Sequence, residues 1–174
     1  MRPVKKLTLS AILVALGVVM LSIGAFFEAM DLTVCVVASL IVVFVFLEIG
    51  SPYTWLVWVS TALISFLFFP GSMVWISYLM MFGIYPLIKA YIEKLPRFLW
   101  LILKLVFANA VIVIMMFLSE LIFSVPFFGE EGLVMRIVLF VLLNVAFVAY
   151  DLFITMLVRI YIAKWRPKFK KFLQ

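Results

Sequence analysis

The hydrophobic pattern of this chain has one dominant form: long apolar runs, hydrophobic on every face, separated by short polar or turn-forming breaks. Strict alternation would mark half-buried strands and a one-sided period of 3.6 would mark soluble amphipathic helices, and neither is present. The breaks are Glu28 to Asp31, Ile49 to Pro52, Pro70 to Ser72, Glu93 to Arg97 and Pro126 to Gly132. Between them lie six runs, near Leu7 to Phe27, Leu32 to Glu48, Tyr53 to Phe69, Met73 to Ile92, Phe98 to Val125 and Leu133 to Ile162. A helix needs about 20 apolar residues to cross roughly 30 Å of hydrocarbon, so each run predicts a span. In lipid only helices or closed barrels satisfy their own backbone, and barrel strands would alternate apolar and polar positions. The expected fold is all-α: a polytopic six-transmembrane-helix bundle, one membrane domain over residues 1–174. At the third break Pro70-Gly71 could instead kink one long helix, which would leave five spans.

Composition agrees and charge decides the span number. Of 174 residues 69% are hydrophobic, and mean hydropathy is +1.37. Arg2, Lys5 and Lys6 precede the first run, which predicts a cytoplasmic N-terminus by the positive-inside rule. With six spans the same side receives Lys89, Lys94, Arg97 and Lys104 around the fourth break, and the basic tail from Arg159 to Lys171. Every Lys and Arg except Arg136 then faces inward, whereas five spans would export the tail. Trp55, Trp58, Trp100 and Trp165 fall near inner interfaces and Trp75 near the outer one, as an aromatic belt requires. Both termini are expected in the cytoplasm, in a multi-pass protein of the cell membrane. The first run also has the form of a signal peptide, with Ser22-Ile23-Gly24 as a weak cleavage site, and is read as a retained span. The net charge of +6 belongs to span ends that touch anionic membrane lipids, not to a nucleic-acid surface.

The missing residues limit the chemistry. The chain has no His and one Cys, Cys35, which rules out His-containing metal sites, internal disulfides and Cys-His or Ser-His catalysis. It has no P-loop to hydrolyse ATP. The expectation is a non-enzyme without metal or cofactor, and only carboxylate chemistry stays open.

The first span carries two stripes of small residues. Ala11, Ala15, Ser22 and Ala25 share one narrow arc, and Ser10, Gly17 and Gly24 a second arc roughly 120° away. Small side chains let helices approach closely in lipid, so one stripe can serve the bundle and the other a partner. The opening Lys5-Lys6-Leu7-Thr8-Leu9-Ser10-Ala11-Ile12-Leu13-Val14-Ala15-Leu16 resembles that of S components, the substrate-binding membrane subunits of energy-coupling factor (ECF) transporters. The resemblance implies that Ala11 and Ala15 form an Ala-x-x-x-Ala surface for a transmembrane coupling subunit, itself joined to ATPase subunits. It also implies an outward substrate cavity built largely from spans four to six and the outer loops.

Polar residues inside the spans are the remaining evidence, because a charge in lipid requires a partner or a purpose. Glu48, Lys89, Lys104 and Asp151 fall in the inner third of four different spans, as a neutral structural network or an ion relay. Lys89 and Lys104 could also snorkel to the headgroups. Asn109 and Asn144 come out near the midplane of spans five and six, where paired amides either clamp helices or line a cavity. Glu120 and Arg136 approach the outer surface on the same two spans, near the loop acids Glu28, Asp31, Glu130 and Glu131. Gly83 and Pro86 would loosen or kink the fourth span, with Trp75 and Tyr78 on one face near its outer end. Depth and resemblance together nominate Trp75, Tyr78, Asn109, Glu120, Arg136 and Asn144 as substrate-binding residues, with an aromatic belt and packing as the alternative. The excess of outer acids favours a neutral or cationic ligand. The expected function is substrate binding for an ECF-type importer of a small, vitamin-like molecule. The alternatives are a non-catalytic membrane scaffold of the MreD cell-shape type and a lipid-handling flippase.

Overall fold

Each apolar run becomes one long helix in the computed structural model, which describes residues 3–124 and 132–167. The helices are α1 (Pro3–Phe26), α2 (Asp31–Glu48), α3 (Ser51–Phe68), α4 (Val74–Ile92), α5 (Arg97–Phe123) and α6 (Leu133–Trp165). All six are long and apolar enough to cross a membrane, and no strand occurs among the described residues. The shortest, at 18 residues, spans about 27 Å at 1.5 Å per residue. Glu130, Glu131 and the basic residues Arg2, Lys168, Lys170 and Lys171 lie outside the described residues.

The breaks end helices for identifiable reasons. A single 3-10 turn, Glu28–Met30, joins α1 to α2. Gly50 reverses the chain between α2 and α3 with φ at +108°, a conformation that a Cβ would oppose. Pro52 then sits in the first turn of α3, where its missing N–H has no partner to lose. Pro70-Gly71 terminates α3: the Ser72 N–H donates to Phe69 O at 3.1 Å, and α4 starts afresh at Val74. Six spans, not five, result.

The bundle has the burial pattern of a protein whose solvent is lipid. Large apolar side chains such as Leu7, Leu63, Phe117, Leu121, Val134 and Leu142 are at least half exposed on all sides, far beyond what a water-soluble surface carries. The core runs through α2, α4 and α6, with Cys35, Val42, Tyr78, Tyr85, Phe147 and Ile154 buried together. Helix α1 joins it through its small residues. A Cβ on Gly17 would lie 2.9 Å from Thr61 Cγ2 of α3, and one on Gly24 would lie 3.3 Å from the Val74 methyls of α4. These two positions therefore set the distance between α1 and its neighbours.

Candidate functional site

The fourth span contains the main irregularity of the bundle. Tyr78–Phe82 forms a π turn, closed by the Gly83 N–H donating to Tyr78 O at 2.7 Å. In an uninterrupted α-helix that N–H would go to Leu79 O. The indole of Trp58 on α3 fills the vacancy, donating from Nε1 to Leu79 O at 3.2 Å. Four residues after Phe82 stands Pro86, which has no N–H for the Phe82 carbonyl. Tyr150 on α6 supplies that donor, with Oη 3.2 Å from Phe82 O. Neighbouring helices thus satisfy both carbonyls released by the irregularity, as lipid demands. Gly83 is required because a Cβ there would lie 2.4 Å from Trp58 Cδ1. The predicted loosening at Gly83 and Pro86 takes this specific form.

Below the π turn, Tyr85, Lys89 and Glu93 follow at intervals of four residues, so α4 presents them on one stripe. Asp151 and Thr155 do the same on α6, and Lys104 enters from α5. Asp151 is the centre. Its carboxylate accepts Tyr85 Oη at 2.6 Å, Lys104 Nζ at 2.9 and 3.0 Å, and Lys89 Nζ. Lys89 also donates to Thr155 Oγ1 at 2.6 Å and to Asp151 O at 3.0 Å. Glu93 Oε1 closes the ring, 2.9 Å from Lys104 and 3.3 Å from Lys89. The side chains of Lys89, Lys104 and Asp151 are 7%, 8% and 15% exposed, and that of Glu93 is 32% exposed. Two cations and two carboxylates make the cluster formally neutral, which is the condition for holding charge inside a bundle. Beside it lies a cavity of about 260 Å³ lined by Phe46, Lys89, Glu93, Trp100, Thr155 and Arg159.

Three members of the expected network, Lys89, Lys104 and Asp151, are therefore together, and neither lysine snorkels away. Glu48 is not with them. It ends α2 and faces Arg166 at 3.3 Å, an ion contact without hydrogen-bond geometry, with Tyr161 alongside. The reason is axial position: Arg166, just past the end of α6, follows Asp151 by 15 residues, a separation of about 22 Å. Glu93, Tyr85 and Thr155 take its place, and the four-residue spacing to Lys89 and Asp151 was the sequence signal for all three. Arg166 and one further cation, Lys6, complete the end of α2. Lys6 Nζ donates to Ile49 O at 3.3 Å and Arg166 Nη2 to Leu47 O at 3.4 Å, each on carbonyls near the negative end of the helix.

The six nominated substrate residues do not line one cavity. Tyr78 is 1% exposed in the core beside Thr61. Trp75 packs on Phe66, with ring centroids 4.7 Å apart, and donates from Nε1 to Pro70 O at 3.3 Å. Asn109 and Asn144 are bonded to each other at 3.1 Å across α5 and α6 and share a lipid-facing groove to which the other four do not contribute. Glu120 and Arg136 are exposed, and among the described residues no ion pair joins them. The cause is that the first turns of α6 stand clear of the bundle: Leu133 to Val138 are all exposed. The cavity at this end lies elsewhere. It measures about 550 Å³ and is lined by Gly24, Asp31, Phe69, Ser72, Met73 and Phe123, from the end of α1, the start of α2, the α3–α4 connection and the end of α5.

Helix α1 separates its two small-residue stripes. Ser10, Gly17 and Gly24 are buried. Ala11 and Ala15 are exposed and line a groove of about 640 Å³ against Leu56, Ser60 and Ile64 of α3. No profile of a known protein family matches the chain, and no curated protein or solved structure is significantly similar to it.

Proposed function

We propose that the chain is the membrane-embedded substrate-binding subunit of an ECF-type importer for a small, vitamin-like molecule, with both termini in the cytoplasm. The observation that carries this reading is the division of labour on α1. One small-residue stripe is used up inside the bundle, while Ala11 and Ala15 remain exposed along an open groove of about 640 Å³ between α1 and α3, and small residues there permit the close approach of a partner helix. A coupling subunit docked there would connect this chain to ATPase subunits, which it needs because it has no nucleotide-binding motif of its own. The substrate chamber is then the cavity at the Asp31 end, whose 550 Å³ is in the range of small-molecule sites. Phe69, Met73 and Phe123 offer apolar walls, and Asp31 and Ser72 offer polar contacts suited to a neutral or cationic molecule.

Co-expression of the tagged chain with an ECF coupling subunit and its ATPases tests the reading. The wild type should retain the module through purification and Ala15→Trp, which fills the groove, should lose it. Retention by both would remove α1 from the interface, and native mass spectrometry without a copurified solute would remove the chamber. One observation favours a second reading, the MreD-type scaffold. The nominated substrate residues are dispersed and the buried charges are occupied in holding α4, α5 and α6 together. Copurification with cell-wall synthases instead of ATPases would select it.

A further inference from the structure

Asn109 and Asn144 hold an accounting that the isolated chain leaves open. Asn109 lies 12 residues into α5, about 18 Å from its start, and Asn144 lies at a corresponding depth in α6. Two primary amides possess four N–H donors and two oxygen acceptors, each able to take more than one bond. Asn109 Nδ2 donates to Leu105 O at 2.8 Å. Asn144 Nδ2 donates to Asn109 Oδ1 at 3.1 Å and to Phe140 O at 3.0 Å, which uses both of its hydrogens. Among the described residues one Asn109 N–H and the Asn144 Oδ1 are left without a bond. Both residues are only partly buried, and they face a groove of about 600 Å³ between α5 and α6. At this depth the surrounding hydrocarbon can satisfy neither group, and an amide left unbonded there is costly.

The remaining valences are one donor and one acceptor on adjacent residues. A surface of that kind is self-complementary: under a two-fold rotation, Asn109 N–H of each copy meets Asn144 Oδ1 of the other. The same rotation lets the rim of each groove enter the groove opposite. Val145 is 64% exposed and Leu152 63%, while Ala149, also exposed, allows close backbone approach. We propose that this groove is the contact between two copies of the chain in the membrane, an isologous dimer closed by reciprocal Asn109–Asn144 hydrogen bonds. The interface is on α5 and α6, away from the α1–α3 groove, so it is independent of the importer reading.

Förster transfer between donor- and acceptor-labelled protein in phosphatidylcholine vesicles at low protein-to-lipid ratio tests the proposal. Wild type should show transfer above random proximity, and Asn144→Val should require a roughly tenfold higher protein-to-lipid ratio for half-association, given two lost interhelical bonds. Transfer at the random level in the wild type, or an unchanged midpoint in a folded Asn144→Val, would overturn it. Cross-linking covers the case in which Asn144→Val does not fold. Val145→Cys, on an otherwise unaltered interface, should form an oxidised dimer, while Leu63→Cys on α3, similarly exposed, should not. A dimer through Leu63→Cys alone would place the contact on another face and refute the assignment.

Discussion

Replacing Asp151 by Asn keeps the shape of the side chain and removes the charge on which the cluster closes. The two lysine ammonium groups, on side chains 7% and 8% exposed, would then have Glu93, which is 32% exposed and partly solvated, as their one carboxylate in the cluster, with only neutral acceptors such as Thr155 Oγ1 beside it. An exposed ion pair contributes about 0 to 1 kcal/mol. A buried pair broken from one side costs about 3 to 5 kcal/mol, because the stranded charge keeps its desolvation penalty. The burial of Lys89, Lys104 and Asp151 puts Asp151→Asn in the second class. At about 2 to 4 °C per kcal/mol for a chain of this size, thermal unfolding in detergent should begin on the order of 10 °C lower. Lys104→Met should cost less, since Asp151 would still receive Lys89 and Tyr85. In a double-mutant cycle, Lys89→Met with Asp151→Leu should lose clearly less than the sum of the single changes. A melting temperature for Asp151→Asn within 2 to 4 °C of wild type, about the effect of one exposed pair, would refute the reasoning, as would strict additivity in the cycle.

Three further outcomes are expected. Glu48→Gln should cost no more than about 1 kcal/mol, because Arg166 is 38% exposed, and its effect should add to that of Asp151→Asn within roughly 0.5 kcal/mol if the two ion groups are separate. Gly83→Ala drives a Cβ into Trp58 and should destabilise by about 1 to 3 kcal/mol, whereas Gly71→Ala, with nothing within 4 Å, should stay within about 0.5 kcal/mol; equal melting temperatures would disprove the close approach. In intact cells an impermeant thiol reagent should label Gly71→Cys and spare Leu95→Cys, both at exposed positions, and the reverse pattern would invert the proposed topology.

What the sequence determined by itself was everything that depends on length and on one-dimensional pattern. Six runs long enough for hydrocarbon, apolar on all sides, leave helices as the available backbone solution, so the spans and the helical termination at Pro70-Gly71 were legible. Local chemistry was legible too. Gly83 and Pro86 announced an irregular α4, and Lys89, Lys104 and Asp151 announced a charge cluster because no buried ammonium stays alone. What the sequence could not decide was azimuth and tilt. When a helix is apolar all round, hydrophobicity does not say which face meets its neighbours, so Tyr78 could be read as a cavity wall although it is in the core. Depth counted along each run assumes parallel helices of equal reach. That assumption placed Glu48 with Asp151, and it placed Glu120 beside Arg136 although the first turns of α6, Leu133 to Val138, stand clear of the bundle. Only tertiary packing settled these points, because steric fit at Gly17, Gly24 and Gly83 sets how closely the helices approach. Once that fit is made, Glu93, Tyr85 and Thr155 are the polar groups within reach of the buried lysines and Asp151.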